Sequence, residues 1–152
     1  MERTSSQKVL RVIAIISIVF AVLGILAGAL IGGAGGFIGT ANPSDVAEMT
    51  SGTGLTQGQA AGIVGGLGIV TILASAIELI EGILCLRASN DSSKVKPAWI
   101  FSIISLGLNI VSIIYTAING TLGQNIGSTV AGLAIAGLVF YLCNNIKQEA
   151  GI

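Results

Sequence analysis

The chain has 152 residues, of which 53% are hydrophobic and 9% are charged, whereas about 25% of the residues of a soluble domain are charged. Seven Lys+Arg balance seven Asp+Glu, and a mean hydropathy of +0.92 leaves too few charges to cover a surface that faces water. This composition excludes a soluble globular domain, and the absence of His excludes most catalytic triads, zinc sites and haem sites.

The first predicted element is a transmembrane helix near residues 10–33, inside the charge-free interval 12–44. Its apolar run is about 20 residues long, against roughly 7 to 15 in a secretory signal, so we expect a retained helix and not a cleaved leader. Gly24, Gly28 and Gly32 recur every four residues and form a row that lets a second helix approach closely.

The end of this helix and the loop 35–56 come next. The Gly-rich run at 32–36 lacks the Lys and the preceding strand of a phosphate-binding loop, so we interpret it as the flexible outer end of the helix. Within the loop, residues 42–49 can form one or two turns of surface helix, because Asp45 and Glu48 have the spacing of a capping box.

The second helix is predicted at residues 57–87, where Thr56 and Gln59 have capping-box spacing at its start. A further small-residue row for packing consists of Gly58, Gly62 and Gly66, and Ala61 and Gly65 form a second row beside it. The same helix carries Glu78 and Glu81, three residues apart and about 13 and 9 Å along the axis from Arg87. An acidic residue at such a depth costs at least about 2.5 kcal/mol and usually faces a bundle interior or a water-filled cavity, so we expect both to be buried and to share a proton.

The third helix is predicted at residues 97–119, after a cytoplasmic loop 88–96, with Pro97 in its first turn. Polar side chains recur along it at intervals of three and four and form one stripe: Ser102, Ser105, Asn109, Ser112 and Thr116. Counting along the axis places Asn109 at the depth of Glu78, and Ser105 at that of Glu81. We therefore expect the second and third helices to face each other across these groups.

The fourth helix is predicted at residues 122–146, because Asn119-Gly120-Thr121 can end one helix and begin the next. Two neighbouring small-residue rows follow this helix: Gly123, Gly127 and Ala131, and Ser128, Gly132 and Ala136. Cys85 and Cys143 lie near the inner ends of their helices, where a disulfide is not expected and the thiols pack as small hydrophobic groups.

The basic residues indicate the orientation, since all seven fall on the side that holds both termini and the loop 88–96: Arg3, Lys8, Arg11, Arg87, Lys94, Lys96 and Lys147. By the positive-inside rule this side is cytoplasmic, and Trp99 and Tyr141 fit interfacial anchors there. The prediction is a single membrane domain over 1–152, all-α, built as an up-down bundle of four transmembrane helices in the cell membrane.

Two hypotheses for function remain open. In the first, the protein is a structural or accessory membrane protein and not an enzyme, and the two Glu are polar contacts that hold the helices together. In the second, it is a small proton- or cation-coupled transporter or channel, with a ligand or ion site formed by Glu78, Glu81, Ser105, Asn109 and Ser112.

The expected partners are the lipid bilayer and either a second copy of the chain or another membrane protein. The glycine rows, with Gly24, Gly28, Gly32, Gly62, Gly66 and Gly127 as their main members, serve packing within one monomer or a seam between copies. No cofactor or metal is expected, and nucleic acid is excluded as a partner because the basic residues only flank the spans.

The chain resembles small uncharacterised four-helix integral membrane proteins of bacteria. The resemblance rests on the basic segment 7–11, the Gly-rich first helix, and the segment 81–88 running into 93–99. It covers most of the chain and implies a four-helix membrane fold without implying an activity.

Overall fold

Helices are the regular secondary structure found in the part of the chain that the structure describes. The computed structural model describes the backbone of residues 4–118 and 122–151, and it leaves undescribed the side chains at 49, 112, 115, 116, 122–126, 128 and 129. The described α-helices are α1 (Ser5–Thr40), α2 (Pro43–Thr50), α3 (Gln57–Asn90), α4 (Val95–Ile118) and α5 (Leu122–Glu149), with a 3₁₀ turn at Ser92–Lys94. Four of them, α1, α3, α4 and α5, contain segments that are long and apolar enough to cross a membrane. An all-helical fold with four candidate spans is therefore confirmed.

Helix α1 is longer at both ends than the predicted interval 10–33. At its start, Thr4 and Gln7 cap each other, with Thr4 N donating to Gln7 Oε1 at 3.0 Å and Gln7 N donating to Thr4 Oγ1 at 3.3 Å. At its end, the Gly-rich run stays helical to Thr40, so its interpretation as a flexible end is wrong. The reason is tertiary, because Gly35 is buried where a Cβ atom would lie only 2.7 Å from the Cα of Gly65 in α3.

The connection from α1 to α3 contains the predicted surface helix. Helix α2 begins at Pro43, after Asn42 in an extended conformation, so it starts two residues before Asp45 and does not use the Asp45/Glu48 spacing as its cap. Val46 is buried. The connection is fastened by Gln57, whose Nε2 donates to the carbonyl oxygens of Ile38 and Ala41 at 2.9 Å each. These two bonds satisfy acceptors at and just beyond the end of α1 that the helix leaves unpaired.

The predicted capping box at the start of α3 is confirmed. Thr56 N donates to Gln59 Oε1 at 2.9 Å, and Gln59 N donates to Thr56 Oγ1 at 3.3 Å. Pro97 lies in the first turn of α4, which begins two residues earlier than predicted. The predicted break at Asn119-Gly120-Thr121 lies outside the described residues.

The chain divides into two compact units. The four-helix unit comprises Met1–Ile16 and Ile80–Ile152, which hold the start of α1, the end of α3, α4 and α5. The hairpin unit comprises Ser17–Leu79, which hold the rest of α1, α2 and the first part of α3.

The four-helix unit has a core to which all four of its helices contribute. The buried side chains of this core are Leu10, Ala14, Cys85, Ala88, Val95, Ala98, Val139, Leu142, Cys143 and Ile146. The largest of them that are fully buried are Leu10, Ile146 and Val95. Ala14, Ala88 and Ala98 are small enough to let the helix backbones approach closely, as helix packing in a membrane requires.

Candidate functional site

Glu81 and Ser105 join α3 to α4 inside the four-helix unit. Ser105 Oγ donates a hydrogen bond to Glu81 Oε2 at 2.6 Å, and both side chains are half-buried. A short connection makes α3 and α4 antiparallel neighbours, so residues 24 positions apart along the chain meet at one depth. The contact that counting along the helix axes predicts is therefore confirmed.

Asn109 extends the polar stripe of α4 towards α5. Its Nδ2 donates to the carbonyl oxygen of Ser105 at 2.9 Å. Its Oδ1 lies 3.0 Å from the position that a Cβ atom at Gly132 would take. The absence of a side chain at Gly132 thus leaves room for the Asn109 amide between α4 and α5, which places the second small-residue row of α5 at this contact.

The polar stripe of α4 has three further members, Ser102, Ser112 and Thr116. Ser102 is fully buried, and its Oγ donates to the carbonyl oxygen of Trp99 at 2.8 Å. Ser112 and Thr116, the outer members, have side chains outside the described set. The part of the predicted ligand site that includes Ser112 stays a prediction.

Glu78 does not share the environment of Glu81. Its side chain is exposed, and it forms no hydrogen bond or ion pair with another described residue, whereas the sequence predicts a buried carboxyl beside Asn109. Residues three apart on an α-helix differ by about 60° around the axis. A joint role for the two carboxyl groups stays a prediction.

The two cysteines lie in the four-helix unit that also holds Glu81. Cys85 is one turn along α3 from Glu81. Both are free thiols, and both are buried in the core of the four-helix unit. Their predicted packing as small hydrophobic groups is confirmed.

The basic end of the four-helix unit contains an aromatic contact between α4 and α5. Lys147 Nζ lies 3.8 Å from the centroid of the Trp99 ring, which is cation–π geometry. The Trp99 Nε1 atom is buried and has no hydrogen-bond partner among the described residues. The prediction that Trp99 anchors this end gains a specific partner, Lys147, which the sequence spacing does not reveal because the two residues are 48 positions apart.

One ion pair is found at this end in the described part of the chain. Lys94 Nζ lies 3.2 Å from Asp91 Oδ2, and Asp91 Oδ1 accepts hydrogen bonds from Ser93 Oγ at 2.7 Å and Ser93 N at 3.1 Å. The hydroxyl of Ser93 and the Lys94 ammonium group hold the pKa of Asp91 below its usual range. Lys96, only two residues from Lys94, has no acidic partner among the described residues.

The predicted small-residue row of α1 makes close contacts, and one of the two rows predicted on α3 does so. A Cβ atom at Gly28 would lie 2.8 Å from Ile72 Cγ1, and one at Gly24 would lie 3.0 Å from the Cβ of Ser75. Gly32 contributes through its backbone, since a Cβ atom at Gly68 would lie 2.5 Å from the Gly32 Cα.

On α3 the contact row is Ala61, Gly65, Gly68, Ile72 and Ser75. Gly62 and Gly66, the predicted packing positions, have nothing within 4 Å of an added Cβ atom, and neither does Gly127 in α5. Packing of these three residues within one monomer is not found among the described residues, and their use in a seam between copies stays a prediction. The residues that make contacts, Ala61 and Gly65 in α3 and Gly132 in α5, belong to the second row predicted on each helix.

No family model, curated protein or solved structure matches the chain. The resemblance to small four-helix bacterial membrane proteins therefore stays a prediction. Among the described residues, no group of three or more Cys, Asp or Glu side chains is arranged to hold a metal ion. The chemistry that the described groups offer is that of one carboxyl group, its hydroxyl donor and a neighbouring amide.

Proposed function

We propose that the protein is a multi-pass membrane protein, an up-down bundle of four spanning helices with both termini in the cytoplasm. Large apolar side chains on α1 support this placement, since Phe20, Leu30 and Phe37 are 64%, 76% and 68% exposed. Exposed apolar groups in such density would aggregate in water and are satisfied by lipid. The basic residues mark the cytoplasmic side.

Within this membrane placement, the protein acts as a structural or accessory protein and not as an enzyme. The observation that carries this proposal is the Ser105 to Glu81 hydrogen bond between α3 and α4. A carboxyl group in a spanning helix needs a polar partner, and interhelical hydrogen bonds of this kind stabilise a membrane protein by up to about 2 kcal/mol. Glu81 is thereby assigned to holding the helices together.

An accessory role also needs a surface for another membrane component. The row formed by Gly58, Gly62 and Gly66 on α3 is open, with nothing within 4 Å of an added Cβ atom at any of the three positions. Small residues at four-residue spacing let a second helix approach closely in lipid. The open row supports contact with a second copy of the chain or with another membrane protein.

The proposed orientation predicts the behaviour of a reporter fused after the C-terminal residue. A fluorescent protein that folds only in the cytoplasm is expected to fluoresce, and a phosphatase that needs the outer compartment is expected to be inactive, because all the basic residues lie on the side of the termini. The matched control is the same pair of reporters inserted in the loop between Thr50 and Gln57, where the two readings should be reversed. An active phosphatase at the C-terminus would overturn the orientation.

The structural role of Glu81 predicts a graded response to substitution. Glu81→Ala removes the acceptor and is expected to lower the free energy of unfolding by about 1 to 2 kcal/mol. Glu81→Gln keeps an oxygen that accepts from Ser105 and is expected to cost less than half of that. Unfolding in mixed micelles of mild detergent and dodecyl sulfate gives both values.

The alternative function is a proton- or cation-coupled transporter, favoured by the exposed carboxyl group of Glu78 on a candidate spanning helix. Purified protein in liposomes separates the two functions. For a structural protein we expect proton and sodium flux equal to that of empty liposomes, with no change in Glu78→Gln or Glu81→Gln. A flux above that of empty liposomes, lost in a Gln variant that unfolds like the original protein, would establish the alternative.

A further inference from the structure

Lys147, Trp99 and Lys96 form a cluster at the basic end of the α4–α5 pair. Lys147 comes from α5 and lies over the Trp99 ring, with its Nζ 3.8 Å from the ring centroid. Lys96 lies three residues before Trp99 on α4, so it projects from the same side of that helix. Lys147 therefore contacts the indole ring directly, and Lys96 lies about one turn away on the same side of α4.

The positive charge of this cluster is not neutralised within the described part of the chain. The ion pair found there is Lys94 with Asp91, and neither Lys96 nor Lys147 has a carboxylate within ion-pair distance. Lys96 is exposed, and Lys147 and Trp99 are half-buried, so the charged groups and one part of the ring are open to a ligand.

The position of the cluster indicates the kind of ligand. Lys96 and Lys147 each follow a fully buried core residue, Val95 and Ile146, so the cluster lies at the edge of the apolar core of the four-helix unit. Lysine and tryptophan at such an edge are the side chains that meet lipid headgroups. Basic clusters between membrane helices on the cytoplasmic side match the phosphate of an anionic lipid.

We propose that Lys96, Trp99 and Lys147 bind the headgroup of an anionic phospholipid of the cytoplasmic leaflet. The two ammonium groups bind the phosphate, and the indole ring packs against the upper part of the lipid. This assignment rests on the membrane placement proposed above and adds a preferred lipid class to it.

The fluorescence of Trp99 reports on the cluster, since Trp99 is the single tryptophan of the chain. Bromine atoms on a lipid acyl chain quench the fluorescence of an indole that they contact. The protein is reconstituted in phosphatidylcholine with increasing fractions of phosphatidylglycerol. The phosphatidylcholine is brominated in one series of samples, and the phosphatidylglycerol is brominated in the other. At equal mole fractions, brominated phosphatidylglycerol is expected to quench Trp99 more strongly than brominated phosphatidylcholine.

The variant Lys96→Gln/Lys147→Gln tests the two ammonium groups. A lysine near an anionic surface contributes on the order of a fivefold change in affinity, so the double variant is expected to weaken the preference for phosphatidylglycerol at least about tenfold. Lys94→Gln is the matched control, because it removes one charge nearby that already has Asp91 as its partner. The preference of the Lys94→Gln variant for phosphatidylglycerol is expected to change by less than about twofold.

The outcomes separate the lipid site from the proposed function. Equal quenching by both lipids, or an unchanged preference in the double variant, overturns the lipid site while leaving the membrane placement intact. Absence of quenching by either lipid also overturns the lipid site, whereas the membrane placement is tested separately by the reporter fusions. A response of Trp99 to inorganic phosphate in pure phosphatidylcholine that equals its response to phosphatidylglycerol would assign the cluster to free phosphate and overturn the lipid site.

Discussion

Ile146→Ala is expected to lower the free energy of unfolding by about 2 to 4 kcal/mol, the largest effect that we predict for a single substitution. Ile146 is 0% exposed in the core of the four-helix unit. In a membrane the unfolded helices remain in lipid, so little of this cost comes from transfer to water. The loss comes from the cavity and from the van der Waals contacts that the surrounding helices no longer make.

Ile135→Ala is the matched control, because it makes the same change on the same helix at a side chain that is 55% exposed. Its cost is expected to stay within about 0.5 kcal/mol. Ile146→Val, which removes one methyl group, is expected to cost about 0.5 to 1.5 kcal/mol. Denaturation in mixed micelles gives all three values, and equal values for Ile146→Ala and Ile135→Ala would contradict the assignment of the core.

The number and type of the long helices follow directly from the sequence. A spanning helix needs about 20 apolar residues, so the charge-free intervals define four candidates without any knowledge of packing. The start of α3 was equally accessible, because Thr56 and Gln59 form a local contact whose geometry depends only on four successive residues. The Thr4 and Gln7 pair has the same spacing and caps α1 in the structure, although the predicted helix starts near residue 10.

The end of α1 could not be predicted in this way. A run of glycines has a low intrinsic tendency to remain helical. The helix continues through Gly35 because that residue packs directly on the backbone of Gly65, and the absence of a Cβ atom is what permits the contact. Local propensity and tertiary contact thus act in opposite directions at one residue, and the tertiary contact prevails.

The sequence also could not show which of two neighbouring small-residue rows on α3 packs against α1. Gly62 and Gly66 lie beside Ala61 and Gly65, and both pairs satisfy the spacing of close helix packing. Spacing along one helix gives the period of a contact surface, but the rotation of the helix about its axis is set by its neighbour. Glu81 accepts the predicted hydrogen bond from Ser105, whereas Glu78 is exposed and not buried as the sequence predicts.

Gly68→Val is expected to lower the free energy of unfolding by about 1 to 3 kcal/mol, the second large effect that we predict. A Cβ atom at Gly68 would lie 2.5 Å from the Gly32 Cα and 2.7 Å from the Gly28 carbonyl oxygen. Both are backbone atoms that cannot turn aside, so α1 and α3 must separate. The contacts of Gly24 and Gly28 with α3 in the hairpin unit would be weakened together.

Gly66→Val is the matched control, two residues away and within about 3 Å of the same depth on α3. A Cβ atom at Gly66 has nothing within 4 Å. Both variants change the backbone entropy and the helix propensity equally, so the difference between them isolates the contact with α1. Equal losses of stability would contradict the α1–α3 packing described for the hairpin unit.

The same pair of variants also separates folding from association. If the open row on α3 binds a second copy of the chain, Gly66→Val is expected to reduce the mass of the detergent-solubilised complex while leaving the unfolding of the monomer unchanged. Gly68→Val is expected to do the reverse, because Gly68 is covered by α1 within one chain. A complex whose mass is unaffected by Gly66→Val would exclude this row as a seam between copies and would leave another membrane protein as its partner.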